Sequence, residues 1–200
     1  MTLHDWTEII SIIKDVVVAL AAVFAAFVAF SGLRAWRREL KGKSEFTRAK
    51  EVLKAVYRVR YAFWDVRNPA IWQYEYPKDM CDSDGRLKKE NSYEGRLQVY
   101  EKRWKNLENA FNQLKEQHLD AEVEWGHDFQ DVIEPLLKCQ GELMVAIQQY
   151  LEPHSDRTVP DENQSKWSEI VHRSRNDKFT QQIDAAIQEF EKRLRPLIKA

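Results

Sequence analysis

Glycine and proline are scarce, six of each among 200 residues, and that scarcity removes most nucleotide-binding designs at the outset. No glycine-rich phosphate loop, GxSxG elbow or HExxH motif is present. Cysteine is scarcer still: Cys81 and Cys139 stand alone without CxxC spacing, which offers no disulfide framework and fits a reducing compartment. The histidines, His4, His118, His127, His154 and His172, are scattered. None lies three or four residues from another His or Cys, so no helical face gathers two zinc ligands. The segment MCDSDGRLKKEN sets Asp82, Asp84 and Gly85 at positions three, five and six of a calcium loop. Met80 and Asn91 occupy the first and twelfth positions, where carboxylates are needed, and the segment reads as a turn. The expectation is a non-enzymatic protein without catalytic residues, cofactor or metal.

Charge is lacking in one place only. The chain is 32% charged, yet the eighteen residues from Val16 to Leu33 carry no charge at all. At about 1.5 Å per residue they cover about 27 Å, close to the thickness of a bilayer's hydrocarbon core. Ile9, Ile10, Ile12 and Ile13 lengthen the run upstream, leaving Lys14 and Asp15 near an interface where lysine can snorkel. Trp6 and Trp36 bracket it, about 45 Å of helix apart, at headgroup depth. A cleaved signal would carry its basic residues first, but Asp5, Glu8 and Asp15 outnumber Lys14 there. A buried core helix would show a polar face, and none fits between Val16 and Phe30. The run reads as a single transmembrane helix, residues 1–33 forming an anchor.

Arg34, Arg37, Arg38, Lys41 and Lys43 crowd the C-terminal flank, which predicts an outside N-terminus and a cytoplasmic domain over residues 34–200. Residues 34–67 hold eleven Lys or Arg against four Asp or Glu. Their helix, flexed at Gly42, should bury Ala49, Leu53, Val56 and Phe63 along with Phe46, and Asn68-Pro69 should stop it. A long connection over 68–91 follows. A helix capped near Ser92 carries Leu97, Tyr100, Trp104, Leu107, Phe111 and Leu114 at heptad spacing, with His118 half-buried on the same stripe. Another begins near Asp120 or Asp128, with Pro135 kinking or restarting it. Residues 152–164 read as a loop, and the last helix runs from Ser165 or Asp177 to the end. The fold class is all-α: an N-terminal transmembrane helix followed by an antiparallel bundle of about four helices.

Projected at about 100° per residue, the apolar helix is two-sided. Ala21, Ala22, Ala25, Ala29 and Gly32 share one half with Ser11, Lys14 and Asp15; the phenylalanines share the other. Small faces let helices approach closely in lipid, so a homo-oligomer or pore face is expected here. Arg34, Trp36, Arg37 and Arg38, with Trp6, would meet the membrane interfaces. A partner or RNA surface is expected from Arg48, Arg58, Arg60 and Arg67 and from the aromatic loop residues Trp72, Tyr74 and Tyr76.

The junction SGLRAWRREL, the helix FTRAKEVLKAVYRVRYAFWDVRNP and the closing DKFTQQIDAAIQEFEKRLRPL resemble small single-pass bacterial membrane proteins of anti-phage loci. In architecture the chain is similar to the accessory membrane protein of type VI CRISPR systems, which joins one transmembrane helix to a degenerate HEPN-like bundle. HEPN ribonucleases carry an arginine four to six residues before a histidine, and no histidine here has one. The resemblance implies an inner-membrane, pore-forming or membrane-perturbing antiviral effector with a protein partner from a defence system. An anchored adaptor and a membrane-tethered RNA-binding domain are the alternatives.

Overall fold

The computed structural model describes residues 3–152 and 161–199, with side chains at 14, 17, 18, 20–126, 129–152 and 165–199. Every extended element among them is helical, and one isolated bridge pairs Cys81 with Leu87. The helices are α1 (Leu3–Val66), α2 (Ser92–Trp125), α3 (Glu134–Leu151), α4 (Asp161–Val171) and α5 (Lys178–Lys199). Short 3-10 turns occupy Gln73–Glu75, Lys78–Met80, Lys89–Asn91 and His127–Ile133.

The chain divides into two compact units, residues 1–46 and 47–200. The units divide between Phe46 and Thr47, and Ala49 is the first buried residue of α1 among those described. In the first unit α1 continues as helix through Gly42. Glycine costs a helix about 1 kcal/mol relative to alanine. Strong helix formers flank it, and Lys41 pairs with Glu45 at 3.7 Å. Phe46, expected to face inward, is exposed.

In the second unit α1 buries Ala49, Val52, Val56, Val59 and Phe63, the three-and-four spacing that places one helical side against a core. Its stop is the expected one: α1 ends at Val66, and Asn68 accepts the Ala70 N–H beside Pro69. From α2, Leu107, Phe111 and Leu114 enter the core, and Phe111 meets Phe63 edge-on at 5.6 Å. Gly126, at φ 80°, ends α2 by returning its N–H to Glu122. Pro135 then starts α3 in its first turn, where a missing N–H costs nothing. His118 is buried rather than half-buried; its Nε2–H donates to the Phe129 carbonyl at 2.9 Å, and its ring stacks on Phe129. Phe179, Ile183, Ile187, Phe190 and Leu194 close the core from α5.

The 68–91 connection is folded rather than slack. Asp82 accepts the N–H groups of Asp84 and Arg86, and Gly85 sits at φ 74° in the turn between them. A Cβ at Gly85 would collide with Gln73, whose Nε2 donates to the Asp84 carbonyl. The would-be calcium loop is thus an Asx turn.

Candidate functional site

Among the described residues, the apolar run of α1 is open along its whole length. From Leu20 to Ser44 every residue is exposed, including Val23, Phe24, Phe27 and Phe30; Phe27 stands 68% open. Ala21, Ala22, Ala25, Ala29 and Gly32 are exposed as well, as are Lys14 and the flank Arg34, Trp36, Arg37 and Arg38. The side chains of Trp6, Ser11 and Asp15 lie outside the described residues. Arg34 stacks its guanidinium over the Phe30 ring at 5.0 Å, one turn back. Among the described residues this is the one helix long and apolar enough to cross a membrane, and none of its apolar window is buried.

The arginines of the second unit divide into exposed and structural. Arg67, expected on a partner or RNA surface, is 0% exposed, and that expectation is corrected. It lies four residues after Phe63, just past the end of α1 and in line with its buried side, so its charge must be satisfied inside. Its Nε donates to the Ile170 carbonyl at 2.6 Å and Nη2 to that of Glu169 at 3.2 Å, both in the last turn of α4. Carbonyls there lack helical partners and carry the negative end of the helix dipole. Nη1 reaches Thr180 Oγ1 at 2.7 Å and Nη2 reaches Asp177 Oδ1 at 2.8 Å. Asp177 in turn caps α5, accepting the Thr180 N–H at 2.6 Å and the Ser174 N–H at 2.9 Å. One arginine therefore ties the end of α1 to the C-terminus of α4 and the N-terminus of α5.

Burial alone would raise the Asp177 carboxyl; bonds from Thr180, Arg67 and Ser174 instead hold it down at about 2. A depressed carboxylate stabilises the fold above its ordinary value of 3.8, and that contribution is lost as pH falls toward 2. The expected loss is about 2 kcal/mol between about pH 4 and 2. Asp177→Asn should be less stable near neutrality and should lose less across that interval, as tryptophan-monitored melts at stepped pH would read.

Arg103, 3% exposed, uses its whole fork. It grips Glu75 at 2.8 and 2.9 Å and donates to the carbonyls of Asn68 and Ala70, each at 2.7 Å. Glu75 also accepts the Trp72 N–H at 2.7 Å. This clamp holds the 68–75 segment so that Trp72 and Tyr74 stay outside, Tyr74 being 78% exposed, while Tyr76 is half-buried. Of the other arginines, Arg48 pairs with Asp120 at 2.8 Å and Arg58 donates to Gln113 at 2.8 Å. Arg60 lies within 4.6 to 5.3 Å of the rings of Tyr57, Tyr61 and Trp64. Cys139 is buried, and burial pushes its thiol up to about 11, which makes it unreactive.

Sequence reasoning missed Arg103 and read Asp177 only as a helix start, not as the partner of Arg67. A signal existed for each: Arg103 interrupts the apolar stripe between Tyr100 and Leu107, and Asp177-x-x-Thr180 has capping spacing. No protein-family model, curated protein or solved structure matches the chain.

Proposed function

We propose that the chain is a non-enzymatic bitopic membrane protein that self-associates through the small-residue side of α1 and acts on the bilayer as a pore-forming or perturbing effector. The observation that carries the membrane part is the unbroken exposure of the apolar run from Leu20 to Leu33. Ten Val, Leu or Phe side chains lie between Val16 and Leu33, and each favours the bilayer by about 0.3 to 0.6 kcal/mol at mid-depth. The basic flank after Leu33 sets the orientation, N-terminus outside and helical domain in the cytoplasm of a bacterial inner membrane. Self-association rests on the Ala21, Ala25, Ala29 and Gly32 row, which lets backbones approach where lipid gives apolar side chains no reason to cluster. Lys14 would then sit near the mouth of the assembly. The resemblance to single-pass proteins of anti-phage loci supports the antiviral reading.

The adaptor reading has its own observation: the clamp at Arg103 holds Trp72 and Tyr74 in the open, as a rigid aromatic contact for a protein partner would require. Molar mass separates the two. Full-length protein in mild detergent, measured by light scattering corrected for bound detergent, should give a discrete oligomer. A monomer would remove the effector, since one helix encloses no channel, and would leave the adaptor.

A further inference from the structure

The two-sidedness of α1 does not stop where its apolar run ends. At about 100° per residue, Arg34, Arg37, Arg38 and Lys41 fall within one arc of about 100°. Leu20, Val23, Phe24, Phe27 and Phe30 fall within an arc of about 120° that overlaps it almost wholly. The Ala21, Ala25, Ala29 and Gly32 row lies on the opposite side. The bulky apolar side and the basic side are therefore one continuous stripe, and the Arg34 guanidinium over the Phe30 ring at 5.0 Å marks the point where one becomes the other. All of these side chains are exposed. Glu39 projects toward the small-residue side by the same rotation, so it leaves the stripe's charge intact. Glu45, paired with Lys41 at 3.7 Å, begins to neutralise it only at the stripe's far end.

We propose that Arg34, Arg37, Arg38 and Lys41 form a binding face for anionic phospholipid headgroups, on the lipid side of α1. This rests on the membrane-spanning reading above and adds to it the lipid class and the face that selects it. The chemistry is specific to that occupant. The bulky residues choose the side of the helix that acyl chains cover, and the arginines then stand over those same chains at the depth of the phosphates. Arg34 to Arg38 span about 6 Å of axis, comparable to one headgroup layer. Guanidinium groups bind phosphate oxygens through paired N–H donors. A strand of nucleic acid would need the cations free of the bilayer, whereas Arg34 directly follows the apolar run.

The test uses full-length protein reconstituted in phosphatidylcholine vesicles that carry trace spin-labelled phosphatidylglycerol or spin-labelled phosphatidylcholine. Spectra report the motionally restricted fraction of each lipid. The expected result is a preference for phosphatidylglycerol of about fivefold or more at low salt, largely lost at 1 M salt, where the Debye length falls to about 3 Å. Replacing all four cations by Gln should bring the preference to about one, while replacing the three arginines by Lys should keep it. Arg38→Gln should lower it and Lys43→Gln, the same charge change on the opposite side, should leave it unaltered. Equal restriction of both lipids in protein that resists alkaline extraction overturns this inference alone. Protein that alkali extracts from the vesicles overturns the membrane-spanning reading with it. A four-Gln variant that keeps its lipid preference and loses binding to a single-stranded oligonucleotide would assign the face to nucleic acid instead.

Discussion

Arg67→Ala should destabilise the unit formed by residues 47–200 by about 3 to 5 kcal/mol, the cost of leaving one charge of a buried pair without its partner. The substitution strands the Asp177 carboxylate, 1% exposed on its side chain, and frees the last carbonyls of α4 at the same time. For a unit of this size the midpoint should fall by roughly 6 to 20 °C, read by tryptophan fluorescence because α1 in detergent would dominate a helix signal. Asp177→Ala should cost a similar amount, since it removes both the arginine's partner and the α5 cap, the cap alone being worth about 1 kcal/mol. The double substitution should cost less than the two single ones together, by about 0.5 to 3 kcal/mol. Strict additivity would show that the two side chains act separately, contrary to the bonding described.

Ala25→Leu should produce the second large effect, on assembly rather than on stability. Ala25 is the middle of the Ala21, Ala25 and Ala29 row, where a larger side chain holds two backbones apart. Overpacking a close contact costs about 1 to 3 kcal/mol, or about five- to 150-fold in the dissociation constant. The detergent-corrected mass of the variant should shift toward monomer at concentrations where the natural sequence stays assembled. Phe27→Leu, on the opposite side, should leave the mass unaltered. An Ala25→Leu oligomer as tight as the original would place the contact elsewhere.

The parts of the fold that sequence made legible are those in which periodicity and breakers agree. The stripes of α2 and α5, the stop at Asn68-Pro69 and the restart at Pro135 each follow from a spacing or from a residue that cannot continue a helix. Two starts, Ser165 and Asp177, stood open for the last helix. Asp177 directly precedes α5, which begins at Lys178, whereas α4 begins at Asp161, four residues before Ser165 and inside the 152–164 segment read as a loop, so that expectation is corrected. What spacing could not show was where charge goes inside. Arg67 is read from sequence as one more cation of a basic segment, because a buried arginine is specified by partners 102 to 113 residues away. Arg103 was hidden in the same way by Glu75 and the 68–70 carbonyls. The apolar part of α1 was legible as a helix long enough to cross a membrane, since length and lack of charge are read directly from the residues. The alignment of its bulky side with the basic flank needed only the helix to continue unbroken through Leu33 and Arg34, as it does.

Alkaline carbonate extraction of membranes containing the full-length protein, followed by protease treatment of sealed vesicles of known sidedness, would show whether α1 crosses a bilayer. A spanning α1 keeps the protein with the membrane pellet and leaves the helical domain open to digestion only from the cytoplasmic face. Release of intact protein into the alkaline supernatant would contradict a spanning α1 and would mean that the exposed apolar side of α1 is covered by protein instead of lipid.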